Sequence, residues 1–382
     1  MDKFDIVIVG GGPAGFNLAR FMSSTGCKIL LVDKKRQFGD NIVCAEGVLR
    51  TTWEKYFNPP TSNWIATEID HIRIWGADGE NFTVHVPKIA YVLNRHVWEY
   101  ELGVEVMNHN VEVMLQTEAM YLEPNRLVLN HNGRRIAVGF EYLACADGIV
   151  SRLGTQVGMD VKLSRYTMYV CAQQLVETNE IEANTMEFFI GPELAPHGYG
   201  WVFPKGDTIA NVGIGMMPGC GMPQLYLDKL MRLRFHHYKV IRQQVGAIPG
   251  KVMTRFTKDR VLLLGDAARL AAPLSGDGIM NAVESAHYAS NALKAANLRL
   301  YGRELKRNLI PYLIRNRRLK YVWDNMRAEE FTSLIRIGKT LYDGKELHGV
   351  SVSRTVMKLL TRLPRLSRLY LRSYVWGWQT RQ

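Results

Sequence analysis

The stretch FDIVIVGGGPAGFNLARFMSSTGCKILLVDK, residues 4–34, constrains the fold more than any other part of the chain. Residues 4–9 are an almost continuous apolar run, the composition of a parallel strand covered on both faces. Gly10, Gly12 and Gly15 then complete a GxGxxG turn ahead of a helix. The first glycine permits the tight turn, the second lets the backbone approach a pyrophosphate, and the third packs helix on strand. The unpaired N–H groups at the helix start suit that anion. Asp33 ends the second strand 18 residues beyond Gly15, where a carboxylate can accept from a ribose hydroxyl. Strand, turn, helix, strand and acid in this order predict a Rossmann-type dinucleotide-binding unit.

A chain of 382 residues exceeds one ordinary core, so two domains or more are expected. Its five cysteines (Cys27, Cys44, Cys145, Cys171 and Cys220) are odd in number and form no CxxC pair. That argues against a disulfide framework, an iron–sulfur cluster or a zinc ribbon, and for a reducing, cytoplasmic setting with no metal. No signal peptide precedes the first strand. Residues 208–227 carry no charge but hold four glycines and two prolines, which interrupt any spanning helix. The net charge of +12 is concentrated at one end: residues 299–382 hold 19 Lys/Arg against 6 Asp/Glu. A near-neutral body with a basic tail calls for an anionic partner, a membrane surface or a nucleic acid.

Two later segments bear on the choice of dinucleotide. YLACADGIVSRLG (142–154) is an apolar strand running into Asp147-Gly148, and RVLLLGDAARLAAPLSGDGIMNAVESA (260–286) is a strand ending at Gly265-Asp266, then a Pro/Gly turn opening a helix. In chain order they resemble the second and third FAD-contacting motifs of the p-hydroxybenzoate-hydroxylase-like flavoproteins. The resemblance implies FAD, with the GD aspartate at the ribityl chain and the following helix start at the isoalloxazine, where its dipole stabilises anionic reduced flavin. A second GxGxxG is absent, so NADPH visits transiently or a ferredoxin-like protein supplies electrons.

HGYGWVFPKGDTIANVGIG (197–215) places Tyr199, Trp201 and Phe203 on alternate positions, hence on one face of a strand. Alternation alone favours a half-buried strand packing its own core. Within this flavoprotein fold, however, Tyr-x-Trp-x-Phe-Pro followed after eight residues by Gly-x-Gly resembles the signature of the geranylgeranyl reductase family. CAEGV (44–48) and PLSGDGIMNA (273–282) are further marks of it. The resemblance spans residues 1 to about 297. It departs at Asp33, where many members have glutamate, and at Asp277, between two glycines. It implies an FAD enzyme that saturates double bonds of a geranylgeranyl chain on a membrane lipid precursor, with the three rings walling a channel for the isoprenoid. By family position Ala14, Asp33, Cys44, Ala45, Gly47, Arg95, Val111, Asp266, Gly278 and Ile279 are carried over as FAD contacts, the loop before Val111 being shortened here. Cys44, Glu46 and Tyr199, with His197, are candidates for the active site and its proton source.

The expected architecture is α/β: a discontinuous FAD-binding domain (1–60, 88–155 and 258–297), an antiparallel β substrate domain (61–87 and 156–257) and a helical basic segment (298–382). Residues 61–87 read as a hairpin turning near Asp78-Gly79. In the tail Arg354, Lys358, Arg362, Arg365, Arg368 and Arg372 step by three or four residues, one face of a helix. Leucines (Leu359, Leu360, Leu363, Leu366 and Leu369) take other positions and Tyr374, Trp376 and Trp378 follow, a pattern suited to an anionic membrane surface, the alternative being a tail helix docked on its own body with a solvated basic face. Pro364 is positioned to kink this helix. Regular leucines leave no need for a nucleic acid. Two rival functions remain: a flavin monooxygenase or halogenase acting on an aromatic substrate, and a non-catalytic membrane adaptor with a vestigial flavin site.

Overall fold

The apolar run after the N-terminus becomes β1 (Lys3–Val9), and Pro13, with its fixed φ and missing N–H, opens α1 (Pro13–Met22). A computed structural model of the chain describes residues 2–57, 62–347 and 362–379. After α1 come β2 (Ile29–Val32), β3 (Gly47–Leu49), α2 (Arg50–Trp53), β4 (Ile65–Trp75), β5 (Asn81–Leu93) and α3 (Arg95–Asn108). Four strands and a short helix follow: β6 (Val111–Met114), β7 (Thr117–Glu123), β8 (Arg126–His131), β9 (Arg134–Cys145) and α4 (Arg152–Gln156). Then come β10 (Met168–Glu177), β11 (Thr185–Phe189), β12 (Tyr199–Pro204), β13 (Ile209–Met216), α5 (Pro223–Arg234), β14 (Lys239–Pro249), β15 (Thr257–Lys258) and β16 (Val261–Leu263). The described chain ends in helices: α6 (Ile279–Lys294), α7 (Leu298–Glu304), α8 (Ile310–Asp324), α9 (Ala328–Tyr342) and α10 (Pro364–Gln379).

Two compact units result. The first comprises residues up to 42, 95–167 and 248–314. Its sheet runs β15-β16-β9-β1-β2-β6, with β16, β9, β1, β2 and β6 mutually parallel and β7–β8 added antiparallel on β9. β1 and β2 are buried along almost their whole length, as the apolar runs require. This is the expected Rossmann-type arrangement.

The second unit comprises residues 43–94, 168–247 and those from 315 onward. Its sheet runs β14-β10-β13-β12-β11-β4-β5-β3; β10–β13, β13–β12, β12–β11, β4–β5 and β5–β3 pair antiparallel, and β11–β4 pairs parallel. The hairpin expected at Asp78-Gly79 is β4–β5, with Gly79 at φ +83°. One face of this sheet buries Val202, Val212 and Ile214 under Leu227, Leu230 and Met231 of α5. On another part of the sheet, Phe82 and Ile190 pack with Phe331, Ile335 and Tyr342 of α9.

The tail departs from the expected single helix. A turn occupies Arg362 and Leu363, and Pro364 starts α10 instead of kinking a longer helix, since proline fits a first turn that needs no N–H. Arg354, Lys358, Leu359 and Leu360 lie outside the described residues. Leu366 and Leu369 are buried with Val322, and Leu363 packs beside them with Leu319 and Met326. That corrects the expectation of leucines free for a bilayer: this face is occupied by α8. Among the described residues no helix is long and apolar enough to cross a membrane.

Candidate active site

In the first unit the parallel ladders bring four loops to one edge. Gly10 N–H donates to Val32 O (2.8 Å), Ala146 N–H to Val9 O (2.8 Å) and Leu264 N–H to Cys145 O (2.9 Å). The three motifs widely separated in sequence therefore leave the sheet side by side. The glycines at this edge have distinct reasons to be glycine. Gly10 lies at φ +107°, and a Cβ there would stand 2.2 Å from Ala146 O. A Cβ on Gly15 would stand 1.8 Å from Gly10 O, so this position sets how closely α1 meets the strand. Gly12 caps α1, and a Cβ there would meet nothing within 4 Å. Open space at a helix start whose N–H groups lack acceptors is the cradle that a pyrophosphate fits.

The other expected cofactor residues are placed around this edge in different ways. Ala14 stands in the first turn of α1, and a Cβ on Gly265 would lie 3.2 Å from its Cβ. Asp33 accepts from the N–H of Gly11 (2.5 Å) and of Lys35 (2.8 Å), which fixes its carboxylate at the turn. Arg95 opens α3 and donates through Nε to Glu99 (2.9 Å), a fully buried carboxylate that Lys35 also approaches at 3.6 Å. The Arg95-x-x-x-Glu99 spacing carried this partner in plain sight. Burial pushes the Asp266 carboxyl up, against the opposing pull of Arg95 and Arg269. Burial likewise raises Asp147, whose Oδ1 is buried with no hydrogen-bond partner while Oδ2 accepts from Leu153 N–H. A buried acceptor left bare at the edge that carries the glycine cradle fits a ligand hydroxyl. Gly278 caps α6 and Ile279 begins it, and Asn281 holds the preceding turn by donating to Leu270 O (2.8 Å) and Asp277 O (2.9 Å).

Val111 is different. It pairs with Ile29 at the start of β6, whereas Met114 is the residue level with Val32. Three register steps at about 3.3 Å each leave it roughly 10 Å from the edge where the loops emerge. The structure does not bring Val111 to the other expected contacts. Gln116 and Thr117 come instead, donating to Lys35 O and Asp33 O (2.9 Å each). Sequence reasoning also missed Arg269, a fully buried guanidinium that bonds Ile149 O (2.7 Å), Asp266 O (2.8 Å) and Val161 O, tying the second motif to the third.

In the second unit Tyr199, Trp201 and Phe203 do share one face of β12. Phe188, opposite Trp201 in register, closes the cluster, with ring centroids 5.7 Å from Tyr199 and 5.4 Å from Phe203. Gly213 faces Trp201, and a Cβ there would stand 2.3 Å from the indole. The Gly-x-Gly is thus a seat for this ring. Trp201 Nε1 is buried without a hydrogen-bond partner. A Cβ on Gly47 would stand 2.7 Å from the Phe203 ring, so residues 44–48 lie against the aromatic strand.

A buried polar network borders these rings. Lys205 Nζ donates to Glu46 Oε2 and to Leu93 O (3.0 Å). Asn211 Nδ2 donates to the same carboxylate oxygen (2.8 Å) and to Ala45 O (3.3 Å), and Gln173 donates to Asn211 (3.4 Å). Glu46 sits at φ +69°, a left-handed conformation that costs a non-glycine residue about 1–2 kcal/mol and that these bonds hold in place. Cys44 Sγ accepts from Glu46 N–H (3.3 Å). Burial pushes the nearby Cys171 thiol up to about 12. Lys205 and Asn211 fall within the spacer between Phe-Pro and Gly-x-Gly, where only its length was read. His197 belongs elsewhere: its Nδ1 is 3.3 Å from Asp324 Oδ1, and Asp324 also pairs with the buried Lys320. Tyr199, like Trp323 of α8, packs against the cluster of Phe82, Ile190 and Phe331.

Known proteins match the chain in corresponding segments. Residues 167–248 match the family described as geranylgeranyl reductase catalytic domain, residues 4–169 pyridine nucleotide-disulphide oxidoreductase, and residues 226–303 FAD binding domain. A digeranylgeranylglycerophospholipid reductase of Methanothrix thermoacetophila is 33% identical over 77% of this chain and 78% of its own. One of Methanocella arvoryzae is 29% identical over 95% and 97%. Among solved structures, a geranylgeranyl bacteriochlorophyll reductase-like protein from Thermoplasma acidophilum has a TM-score of 0.90 at 24% identity, covering 98% of this chain and all of that one. A p-nitrophenol 4-monooxygenase from Pseudomonas putida shares the fold at a TM-score of 0.70 and 14% identity, covering 89% and 95%.

Proposed function

The chain belongs to the digeranylgeranylglycerophospholipid reductase family, and from that premise we propose how its residues divide the work of an FAD-dependent reductase. It is an oxidoreductase that saturates carbon–carbon double bonds of geranylgeranyl chains on an ether-lipid precursor. Reduced FAD, when bound, supplies the hydride that goes to one alkene carbon. The first unit is the FAD-binding part. Gly10, Gly12, Ala14 and Gly15 cradle the pyrophosphate, Asp33 takes the ribose, and Arg95, steadied by Glu99, adds a forked cation. Asp147 and Asp266 accept from cofactor hydroxyls, and Gly278 and Ile279 present the start of α6 to the ring system.

The second unit is the substrate part. An isolated alkene offers no carbonyl to polarise, so the protein must fix the chain and exclude water. The observation that carries the reading is the ring cluster of Tyr199, Trp201, Phe203 and Phe188, rigid apolar area bordered by a single buried polar network. The buried pair of Glu46 and Lys205, steadied by Asn211, is the proton source, the Lys205 ammonium carrying the proton beside the Glu46 carboxylate, and the Cys44–Gly47 turn lines the same site. His197 is set aside from that role by its pairing with Asp324. A geranylgeranylated lipid is a bilayer component, so the enzyme works as a peripheral membrane protein. NADPH or a ferredoxin-like protein is the electron donor.

Anaerobic photoreduction in the presence of a detergent-dispersed geranylgeranylated lipid, followed by mass spectrometry, tests the reading. The expected product is heavier by two hydrogens per double bond. Gain of oxygen or halogen only when oxygen is admitted would replace it by the monooxygenase or halogenase reading, and absence of turnover by the adaptor reading.

A further inference from the structure

Exposed aliphatic side chains gather at one end of the second unit. Met222 and Leu225 are 65% and 63% exposed, and Ile241 and Val245 47% and 73%. On α5 the positions Met222, Leu225, Lys229 and Arg232 step by three, four and three residues, one continuous outer face. The inner face is the core stripe Leu227, Leu230 and Met231. On β14 the alternate positions Ile241, Gln243 and Val245 share a face, and Gln243 Nε2 donates to Gln224 of α5 (2.6 Å). That bond sets both aliphatic pairs on one side, because Gln224 lies beside Leu225 and Gln243 between Ile241 and Val245.

The charges around them are mostly positive. Residues 222–245 hold five Lys/Arg and one acid, Asp228. Arg234 is spent on the buried Glu187 (2.8 Å), whereas Lys229, which donates to Glu193 O (2.9 Å), Arg232, and Lys239, 3.6 Å from Glu177, are exposed at the surface. β14 is also the last strand of its sheet. An edge strand with aliphatic side chains is an association surface unless something covers it. Lysine and arginine along that edge oppose pairing with a second identical copy. Aliphatic side chains interleaved with long cations, whose stems lie along apolar surface while their heads reach outward, match an anionic bilayer interface. The edge also leads towards the candidate site: a Cβ on Gly246 would stand 2.9 Å from Val43, itself 42% exposed and adjacent to Cys44.

We propose that the outer face of α5 and the strand β14 form the surface by which the enzyme docks on an anionic lipid bilayer. This rests on the reading of a lipid substrate, which must be drawn from such a surface. The aliphatic side chains enter the interface, and Lys229 and Arg232 of α5 and Lys239, which shares the face of Ile241, meet the headgroups.

Co-sedimentation of the FAD-loaded full chain with phosphatidylcholine vesicles containing phosphatidylglycerol tests it. The wild type is expected to pellet with these vesicles, less so at high salt, and weakly with phosphatidylcholine alone. The variant Leu225→Ser/Ile241→Ser/Val245→Ser should lose about tenfold or more in partitioning, because three exposed apolar groups no longer enter the interface. Should that variant fold poorly, Lys229→Glu/Arg232→Glu carries the test, with the same loss and a shallower salt dependence. Both variants should reduce detergent-dispersed lipid as the wild type does. Wild-type protein that stays in solution, or variants that pellet as it does, would overturn the proposal. So would a wild-type dimer that the serine variant converts to monomer, which would make this face a contact between copies. Failure of wild-type turnover in detergent strikes the reductase reading instead, and the vesicle measurement remains decisive for docking.

Discussion

Gly12 in the first unit and Gly213 in the second both make room beside a backbone, yet what fills the room differs. Nothing lies within 4 Å of where a Gly12 Cβ would be, whereas the Trp201 indole stands 2.3 Å from the corresponding Gly213 position. One glycine keeps space for a ligand; the other keeps space for a side chain of the same protein. The same residue type in two glycine-rich motifs therefore signals cofactor recognition in one place and construction of a wall in the other.

The sharpest way to break this contrast lies within the first unit. Gly15→Val should leave no folded protein, because its Cβ would occupy the position of Gly10 O. Gly12→Val should fold, since its φ of −124° suits any residue and its Cβ has no neighbour, but should hold no FAD. Circular dichroism and the flavin absorbance of the purified proteins separate the two. A yellow Gly12→Val protein would show that the open space is not the pyrophosphate cradle.

The second unit should respond in the opposite sense. Trp201→Ala should keep FAD at wild-type occupancy yet lose turnover on geranylgeranylated lipid. It should also destabilise the protein by about 3–5 kcal/mol, the usual cost of emptying a buried aromatic site. Unchanged turnover would return the strand to the role of ordinary core, and loss of flavin would place Trp201 among the cofactor contacts.

How much of this was legible in the sequence follows from how local each signal is. The strand–turn–helix around Gly10, the aromatic alternation and the hairpin at Gly79 depend on neighbours a few residues apart, so their spacing displays them. The link from Glu46 to Lys205 and Asn211 spans about 160 residues, and only the pairing of strands brings those side chains together. Val111 was carried by family position through a shortened loop, and the register with Ile29 moves it away from the edge. The tail's leucines read as an exposed apolar face because periodicity cannot say whether lipid or another helix covers it. Here α8 does.

Asp277, the departure between two glycines, gives a smaller and pH-dependent effect. Burial, reinforced by the Glu284 charge, pushes its carboxyl up to about 6. The unfolded value is about 3.9, so between these values the folded state holds the extra proton. Stability from this group therefore falls as pH rises from about 4 to about 6, and the penalty is fully present above that range. Asp277→Asn should match the wild type near pH 4 and exceed it above about pH 7 by roughly 1–3 kcal/mol. Melting of the flavin-free proteins across pH measures this; an offset independent of pH would assign the change to packing.

The smallest effect is expected where the sequence drew attention to charge. Arg362, Arg368 and Arg372 are exposed, whereas Arg365 pairs with Glu330 and donates to Asn325 O (3.2 Å). With Leu363, Leu366 and Leu369 packed towards α8, the leucine face of this segment is already covered, and among its described side chains only Leu371 and Tyr374 remain as exposed large apolar groups. Near an anionic leaflet each such cation is worth at most about 1 kcal/mol, and salt screens it within a Debye length of about 8 Å. Arg362→Gln/Arg368→Gln/Arg372→Gln should therefore weaken vesicle binding by less than about tenfold at physiological salt, and not at all at high salt. Adding Arg365→Gln should lower the melting temperature as well, because Glu330 then loses its cationic partner and keeps only the Arg327 N–H. If the three-arginine variant instead leaves the vesicles as completely as the α5–β14 variant, the tail is the principal docking element. The aliphatic edge of β14 would then need another occupant.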